Sequence, residues 1–586
     1  MPDDPQTAQG LDAGFIHRPD ELGTASRSSR EEMDAALIDL QQNKDQWLAI
    51  DLQERIILLD QIGEDLRSVA DPWISLSIQA KGTQGNAYAE AEEWAMLATV
   101  FRNVRLLGKS FRAIRDHGRP RIPGPVTTRP DGQVVAQVFP QSWSDRLMLP
   151  GTEAEVWMQP GVTIDDVHSS QAWFHTGKGN QGKVALVLGA GNASMLVPTD
   201  FLYKLFVEGQ VVLLKLNPVN DYLAPVLRTA FQGLIENGYL RIVFGGADEG
   251  SYLCHHPAVD EIHTTGSDKT YERIVFGSGQ EGAERKAAGR PIMHKRFTGE
   301  LGNVTPVIVL PGPWTRDDIR LQGAKLVNWL VINAGFNCLT PRVIIQWADW
   351  NQRTALNDAI ANTLSKVETR KAYYPRARQR MEMFLAAHPQ AQQFGSAPDD
   401  HLPWTFITGI DPGHAGDICF RNEAFCGLFA ETALEADNVE EFVGRAVDFA
   451  NETLWGNLTA TIIAHPTALR DRETAIAIES AVQNLRYGMV LINQFAALGF
   501  FCMTTTWGAY PGNDIHDIQS GTGVTSNVLM FAHPQKSVVR SPFRLARDPF
   551  ALSSRTIRET GKGMADMQYR PAVRKVPGLI WSALRS

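Results

Sequence analysis

Val184-Ala-Leu-Val-Leu-Gly-Ala-Gly-Asn192 is an apolar run of strand length that stops at glycines, and two more such runs follow it, Val211-Val-Leu-Leu-Lys215 and Arg241-Ile-Val-Phe-Gly-Gly246. Between them lie helix-like segments, Phe201-Leu-Tyr-Lys-Leu-Phe206 and Ala224 to Glu236. Strand, helix, strand, helix, strand without a hairpin turn predicts a parallel, doubly wound α/β sheet. In such sheets a ligand, typically a dinucleotide, sits outside the carboxyl ends of the strands.

The alternation resumes downstream, with strands at Val307-Ile-Val-Leu310, Val343-Ile-Ile345 and Thr459-Ala-Thr-Ile-Ile-Ala464 and a helix from Asp317 to Val331. A charged helical excursion runs from about Arg353 to Ala387. Upstream, from Arg30 to Arg112, apolar residues recur every three or four positions, as in Trp47-Leu-Ala-Ile-Asp-Leu-Gln-Glu-Arg-Ile-Ile, which predicts helices. Residues 116–182 change to Pro, Gly, Thr and short β-prone pieces such as Val134-Val-Ala-Gln-Val-Phe139, predicting strands that project from the body. Residues 1–30 read as a loose polar arm, and the chain after Pro534 as irregular and basic.

At 586 residues more than one packed lobe is expected. A net charge of -9 gives no attraction to nucleic acid or an anionic bilayer, and no apolar run is long enough to span a membrane. Five cysteines without C-x-x-C or His/Cys ligand spacing point to a reduced, cytoplasmic setting and to no metal site.

Several side chains stand where chemistry is feasible. Cys338, in Asn333-Ala-Gly-Phe-Asn-Cys338, follows a helix and precedes a strand, where backbone N–H groups favour the nucleophilic thiolate; a buried core thiol is the alternative. Glu300, in Phe297-Thr-Gly-Glu-Leu-Gly-Asn303, is a candidate general base or a surface acid. Asn192, after the first strand, offers an amide donor for an oxyanion, or is simply a turn residue. Lys215 ends the second strand, where it can reach ribose hydroxyls, and Gly245 follows the third. Thr265-Gly266-Ser267 precedes a helix, where a hydroxyl and N–H groups meet a phosphate or merely cap the helix.

In their order and spacing these landmarks resemble the aldehyde dehydrogenase superfamily from about Trp47 to Lys536, with Glu423-Ala-Phe-Cys-Gly427, Asn451-Glu-Thr-Leu-Trp-Gly-Asn-Leu-Thr-Ala460 and Gly488-Met-Val-Leu-Ile-Asn493 continuing the series. The resemblance implies a Rossmann-like cofactor domain (31–298, with the β insert at 116–182), an α/β catalytic domain (299–505), and a return to the cofactor and oligomerisation region after 506. It also implies a small projecting β element through which the chain forms a homodimer or homotetramer. Cys338 would then be the nucleophile, Asn192 and the Cys338 N–H the oxyanion donors, and Glu300 the base for thioester hydrolysis. Lys215, Gly245, Gly266, Ser267 and Glu423 would hold NAD or NADP, Glu423 at the nicotinamide ribose. The substrate implied is an aldehyde.

The chain departs from the family pattern at several places. Lys-Pro-Ser-Glu is replaced by Lys215-Leu-Asn-Pro218, which removes the acid near the adenosine ribose. Ala190-Gly191 stands for Pro-Trp, Phe336 for Gln, Gly302-Asn303 for Gly-Gly, and Thr506-Trp-Gly-Ala-Tyr-Pro-Gly-Asn513 for the late glycine-rich segment. Extra residues lie at about 116–178, 277–295, 370–403 and beyond 536. Two other functions remain open at this stage: a coenzyme A-dependent acylating relative, and a catalytically silent binding or scaffold subunit. The basic, apolar tail from Arg570 either docks on the protein's own body or touches a membrane surface.

Overall fold

The computed structural model describes residues 26–176, 181–544, 554–578 and 581, so most of the predicted N-terminal arm lies outside the described residues. Four helices open the described chain, Arg30–Ala49, Leu52–Ser68, Ala70–Lys81 and Ala87–His117. Ser29 with Glu32 and Asp51 with Glu54 form capping boxes that satisfy the first N–H groups of the first two. The predicted spacing is realised: Ile56, Leu59, Ile62 and Leu66 are buried along one face. Trp47 is fully buried and its indole N–H donates to the Leu205 carbonyl at 3.1 Å, tying this layer to the sheet beneath.

Three strands follow, β1 (Val126–Thr128), β2 (Val134–Phe139) and β3 (Glu153–Met158), then the predicted alternation as β4 (Val184–Leu188), β5 (Val211–Lys215), β6 (Leu240–Val243), β7 (Glu261–Thr265) and β8 (Arg296–Glu300). The second half contributes β9 (Thr305–Val309), β10 (Pro341–Trp347), β11 (Gln392–Phe394), β12 (Trp404–Ile410), β13 (Leu428–Leu434), β14 (Thr459–Ile463) and β15 (Met489–Ile492). Two late strands, β16 (Gly521–Thr522) and β17 (Pro534–Arg540), complete the set.

The smaller sheet has the order β16-β8-β7-β4-β5-β6, with β4 to β8 all parallel. Strand order reverses between β4 and β7, which opens a crevice at their carboxyl ends. Residues 184–187 of β4 are fully buried, each large side chain contributing about 1.5–3 kcal/mol by leaving water. The larger sheet runs β1-β2-β3-β17-β15-β14-β9-β10-β13-β12-β11. Its middle, from β17 to β12, is parallel, and its two ends are antiparallel. The β element expected at 116–182 thus supplies β1, β2 and β3, which form one antiparallel end of this sheet.

One local expectation fails. The chain after Pro534 is not irregular: β17 is an interior strand, hydrogen-bonded to β15 on one side and β3 on the other, and Ile557–Tyr569 is a helix. Strand alternation there is masked by Lys536 and Arg540, whose charges find partners inside; the buried Lys536 ammonium donates to the carbonyls of Val482, Gln483 and Leu485 at 2.6–3.0 Å. The helix packs on Ala87–His117, so close that a Cβ on Gly561 would lie 3.0 Å from Ala91 Cα. The charged excursion from Arg353 to Ala387 is helical as expected, in two pieces, Arg353–Leu364 and Ala377–Ala387. No helix among the described residues is long and apolar enough to cross a membrane.

Candidate active site

Cys338 sits where the helix Arg316–Val331 stops. That helix begins with a capping box, Thr315 with Asp318, and ends in three successive residues of positive φ, Asn333 (53°), Ala334 (56°) and Gly335 (78°). Left-handed backbone at two non-glycine residues is costly and persists only when the surroundings fix it. Gly335 is required: a Cβ there would lie 2.6 Å from the Cys426 carbonyl oxygen. Arg342 braces the same loops, donating from Nη1 to Cys426 O at 2.6 Å and from Nη2 to Gly335 O at 2.8 Å.

Both sheets send residues to this loop. Asn192, following β4, donates from Nδ2 to the Phe336 carbonyl at 2.9 Å, and a second amide hydrogen is left over. Asn333 Nδ2 donates to the Asn192 carbonyl at 2.7 Å. The Tyr373 hydroxyl lies 2.7 Å from that same carbonyl and 2.9 Å from Asn333 Oδ1. Lys81, buried against Glu93 at 2.6 Å, donates to Asn333 Oδ1 at 2.9 Å. The strained turn is thus held by Lys81, Asn333 and Tyr373, three residues the sequence reading did not single out.

Glu300 ends β8, in register with Thr265 of β7, and the Gly266 N–H donates to its backbone carbonyl at 2.9 Å. Its carboxylate accepts from the Trp507 indole N–H at 3.3 Å and faces the Cys338 thiol. Burial raises the Glu300 pKa from 4.5 to about 7, with the Cys338 and Trp507 contacts opposing the rise. The Cys338 thiol is pushed well above its usual value by burial and by the charges of Glu300 and Glu423. Glu423 is raised to about 8 by burial, against the pull of Arg342. It lies over Gly302, where a Cβ would come within 2.4 Å of its Oε2. Glu300 Oε1 and Glu423 Oε1 are buried without a hydrogen-bond partner among the described residues. Cys338, Glu300, Asn192 and Glu423 therefore converge on one site at the junction of the two sheets.

The other predicted residues line the strand ends of the smaller sheet. Lys215, only 8% exposed, has its pKa lowered to about 8 by burial, with Glu249 opposing the shift. Glu249 folds back over Gly245, where a Cβ would strike its Cγ at 2.4 Å, and accepts the Gly246 N–H at 2.6 Å. Ser267 is the N-cap of Asp268–Phe276, accepting from the Thr270 N–H at 3.2 Å. A buried ammonium beside a carboxylate, and a helix N-terminus across the crevice, fit a nucleotide's ribose and phosphates.

A family model described as the aldehyde dehydrogenase family matches residues 183–371, the segment that carries Asn192, Lys215, Ser267, Glu300 and Cys338. Over that segment the chain is similar to aldehyde dehydrogenases, and its fold is the one that solved aldehyde dehydrogenases share. Among similar proteins, 4-trimethylaminobutyraldehyde dehydrogenase A of Danio rerio is 28% identical over 139 residues, 24% of either chain. Betaine aldehyde dehydrogenase 1 of Oryza sativa subsp. japonica is 25% identical over 282 residues, 44% of this chain and 48% of its own. The chain thus spans from about a quarter to about half of these curated relatives. The fold extends further than the sequence likeness. Lactaldehyde dehydrogenase from Escherichia coli superposes with a TM-score of 0.58 at 17% identity, over 88% of this chain and 92% of its own. Glyceraldehyde-3-phosphate dehydrogenase from Methanocaldococcus jannaschii, complexed with NADP, gives 0.58 at 14% identity over 88% and 96%.

Proposed function

We propose that the protein oxidises an aldehyde to a carboxylic acid with a nicotinamide dinucleotide, through a thioester on Cys338. The observation that carries this reading is the contact of the Cys338 thiol with the buried Glu300 carboxylate, beside the Asn192 amide. With a pKa of about 7, Glu300 is close to half ionised at neutral pH, so its carboxylate can accept the proton that the thiol gives up as the sulfur attacks and, once that proton has passed to solvent, a proton from water.

The sulfur then forms a bond to the carbonyl carbon, and the free Asn192 amide hydrogen with the Cys338 N–H meets the oxyanion. When bound, the nicotinamide supplies the acceptor for the hydride that leaves this carbon. Water adds to the resulting thioester while Glu300 removes its proton, the sulfur–carbon bond breaks, and the acid departs as the thiolate is restored. Glu423, buried within reach of the Glu300 charge in the same site, would hold the nicotinamide ribose, and Lys215 the adenosine ribose. The carboxylate of Glu249 beside Lys215 supplies the charge that Lys215-Leu-Asn-Pro218 lacks, and it favours NAD over NADP by repelling a 2′-phosphate.

The test is reduced-cofactor formation from a panel of aldehydes with NAD or NADP, with and without coenzyme A. The proposal expects turnover without coenzyme A and a stoichiometric acid product. Strict dependence on coenzyme A would make the protein an acyl-transferring enzyme, and inactivity with every aldehyde and both cofactors would make it a silent subunit.

A further inference from the structure

Away from the catalytic site, three donors of three chemical kinds converge on one buried point. His388 closes the helix Ala377–Ala387, Asp417 precedes the short helix Ile418–Arg421, and Cys419 lies within that helix. One ligand atom from each lies within 4.8 Å of the others. The His388 and Asp417 side chains are 9% and 8% exposed, and Cys419 is 3% exposed. His388 Nε2 is 3.0 Å from Asp417 Oδ1, and the Cys419 backbone N–H donates to the same oxygen at 2.8 Å. On the solvent side His414 Nδ1 lies 3.9 Å from Asp417 Oδ2.

We propose that His388, Asp417 and Cys419, with His414 as the fourth ligand, form a structural site for a divalent cation of zinc type. Imidazole, carboxylate and thiolate are the donor set that such a borderline-soft ion takes, at bonds of about 2.0–2.3 Å. Those bonds put tetrahedral ligands about 3.3–3.8 Å apart, so His388, Asp417 and Cys419 need to contract by about an ångström, and the exposed His414 ring, outside that group, has to swing in to join them. Charge favours loading: a carboxylate and a thiolate neutralise a dication, which leaves no net charge in a buried place. Proton accounting is simple. Cys419 releases one proton, and His388 binds through Nε2 with its hydrogen on Nδ1. There the exposed Gln390 amide, now 3.3 Å from Nδ1, can turn its oxygen to accept that hydrogen. Exposed at 71%, His414 provides the entry path.

The site's place in the fold gives it a purpose. Cys419 is followed four residues later by Glu423. The helix ending at His388 also touches that loop through Arg380, which donates to the carbonyls of Ala424 and Phe425 at 3.3 Å. An ion at His388 would fasten the far end of this helix to the turn that presents Glu423. Reading along the chain does not reveal the cluster, because His388 and Asp417 stand 29 positions apart.

Cobalt tests the site without reference to turnover. Full-length protein stripped with a chelator and titrated with Co2+ is expected to bind one ion per chain, with a thiolate-to-cobalt charge-transfer band and release of one proton. The band should persist in Cys338→Ala and vanish in Cys419→Ser. His388→Gln and His414→Ala, which keep the thiol, should each weaken binding about tenfold or more. A missing band in the unaltered protein, a band that disappears with Cys338 instead of Cys419, or histidine variants of unchanged affinity would each overturn the proposal.

Discussion

The strand ends of the smaller sheet and the junction between the sheets are built in different ways. At the strand ends the contacts are local: Glu249 reaches the Gly246 N–H, and Ser267 the Thr270 N–H, each across three residues. At the junction they span the chain: Asn192 meets Phe336 across 144 residues, Trp507 meets Glu300 across 207, and Lys81 meets Asn333 across 252. Residues tied by short-range contacts suit a ligand that approaches from solvent. Residues tied across the whole chain hold a geometry that only the complete fold can enforce, so damage at the junction should reach catalysis and damage at the strand ends should reach binding.

The sharpest test of that division is Cys338→Ala, which should lower kcat by about four orders of magnitude or more while leaving cofactor affinity in place, read by single-turnover kinetics and fluorescence titration. Next comes Glu300→Gln, which should keep a burst of reduced cofactor and slow the steady state by about two to four orders of magnitude. In the unaltered protein that steady state should rise with pH through about 7 as Glu300 ionises.

The same residue makes a stability prediction with a definite sign. The folded state holds the Glu300 proton up to about pH 7, whereas an ordinary glutamate loses it near 4.5. Below pH 4.5 both states are protonated and nothing is lost. Between 4.5 and 7 the unfolded state sheds a proton that the folded state keeps, so stability falls, by about 3 kcal/mol once pH exceeds 7. Glu300→Gln should therefore raise the thermal midpoint at pH 8 and leave it unchanged at pH 4, by calorimetry.

Smaller effects separate the two regions further. Tyr373→Phe removes one buried hydrogen bond to the Asn192 carbonyl or Asn333 and should cost about tenfold in kcat, with the cofactor KM unchanged. Glu249→Gln should act the other way round, lowering the KM for NADP about fivefold without altering kcat. If Tyr373→Phe shifted the cofactor KM, or Glu249→Gln shifted kcat, the proposed separation of roles would collapse.

The division also explains what was legible along the chain. The β4 to β6 alternation declares itself because each strand is a short apolar run closed by glycine or lysine, and the opening helices because burial at Ile56, Leu59, Ile62 and Leu66 follows the helical period. Cys338, Glu300, Asn192 and Glu423 became visible as an ordered set through a family resemblance; singly, each had an ordinary alternative. Lys81, Asn333, Tyr373 and Arg342 carried no signal, since a lysine in a helix and a tyrosine in an insert look like surface and core. Their roles arise only when distant segments meet. Strand β17 escaped notice because Lys536 and Arg540 interrupt its apolar pattern, although both are satisfied internally.

That strand has a consequence for how the molecule is assembled. Among the described residues every other strand precedes β17 in the chain, yet it stands between β3 and β15 in the interior of a sheet. During synthesis β1 to β3 and the block from β15 to β12 emerge as two separate ribbons, each with a bare edge waiting for the same seven-residue piece. A ribosome that stalls before Pro534 leaves both edges open to strands of other nascent chains, so the sheet's last-made segment is also the one that guards it against aggregation.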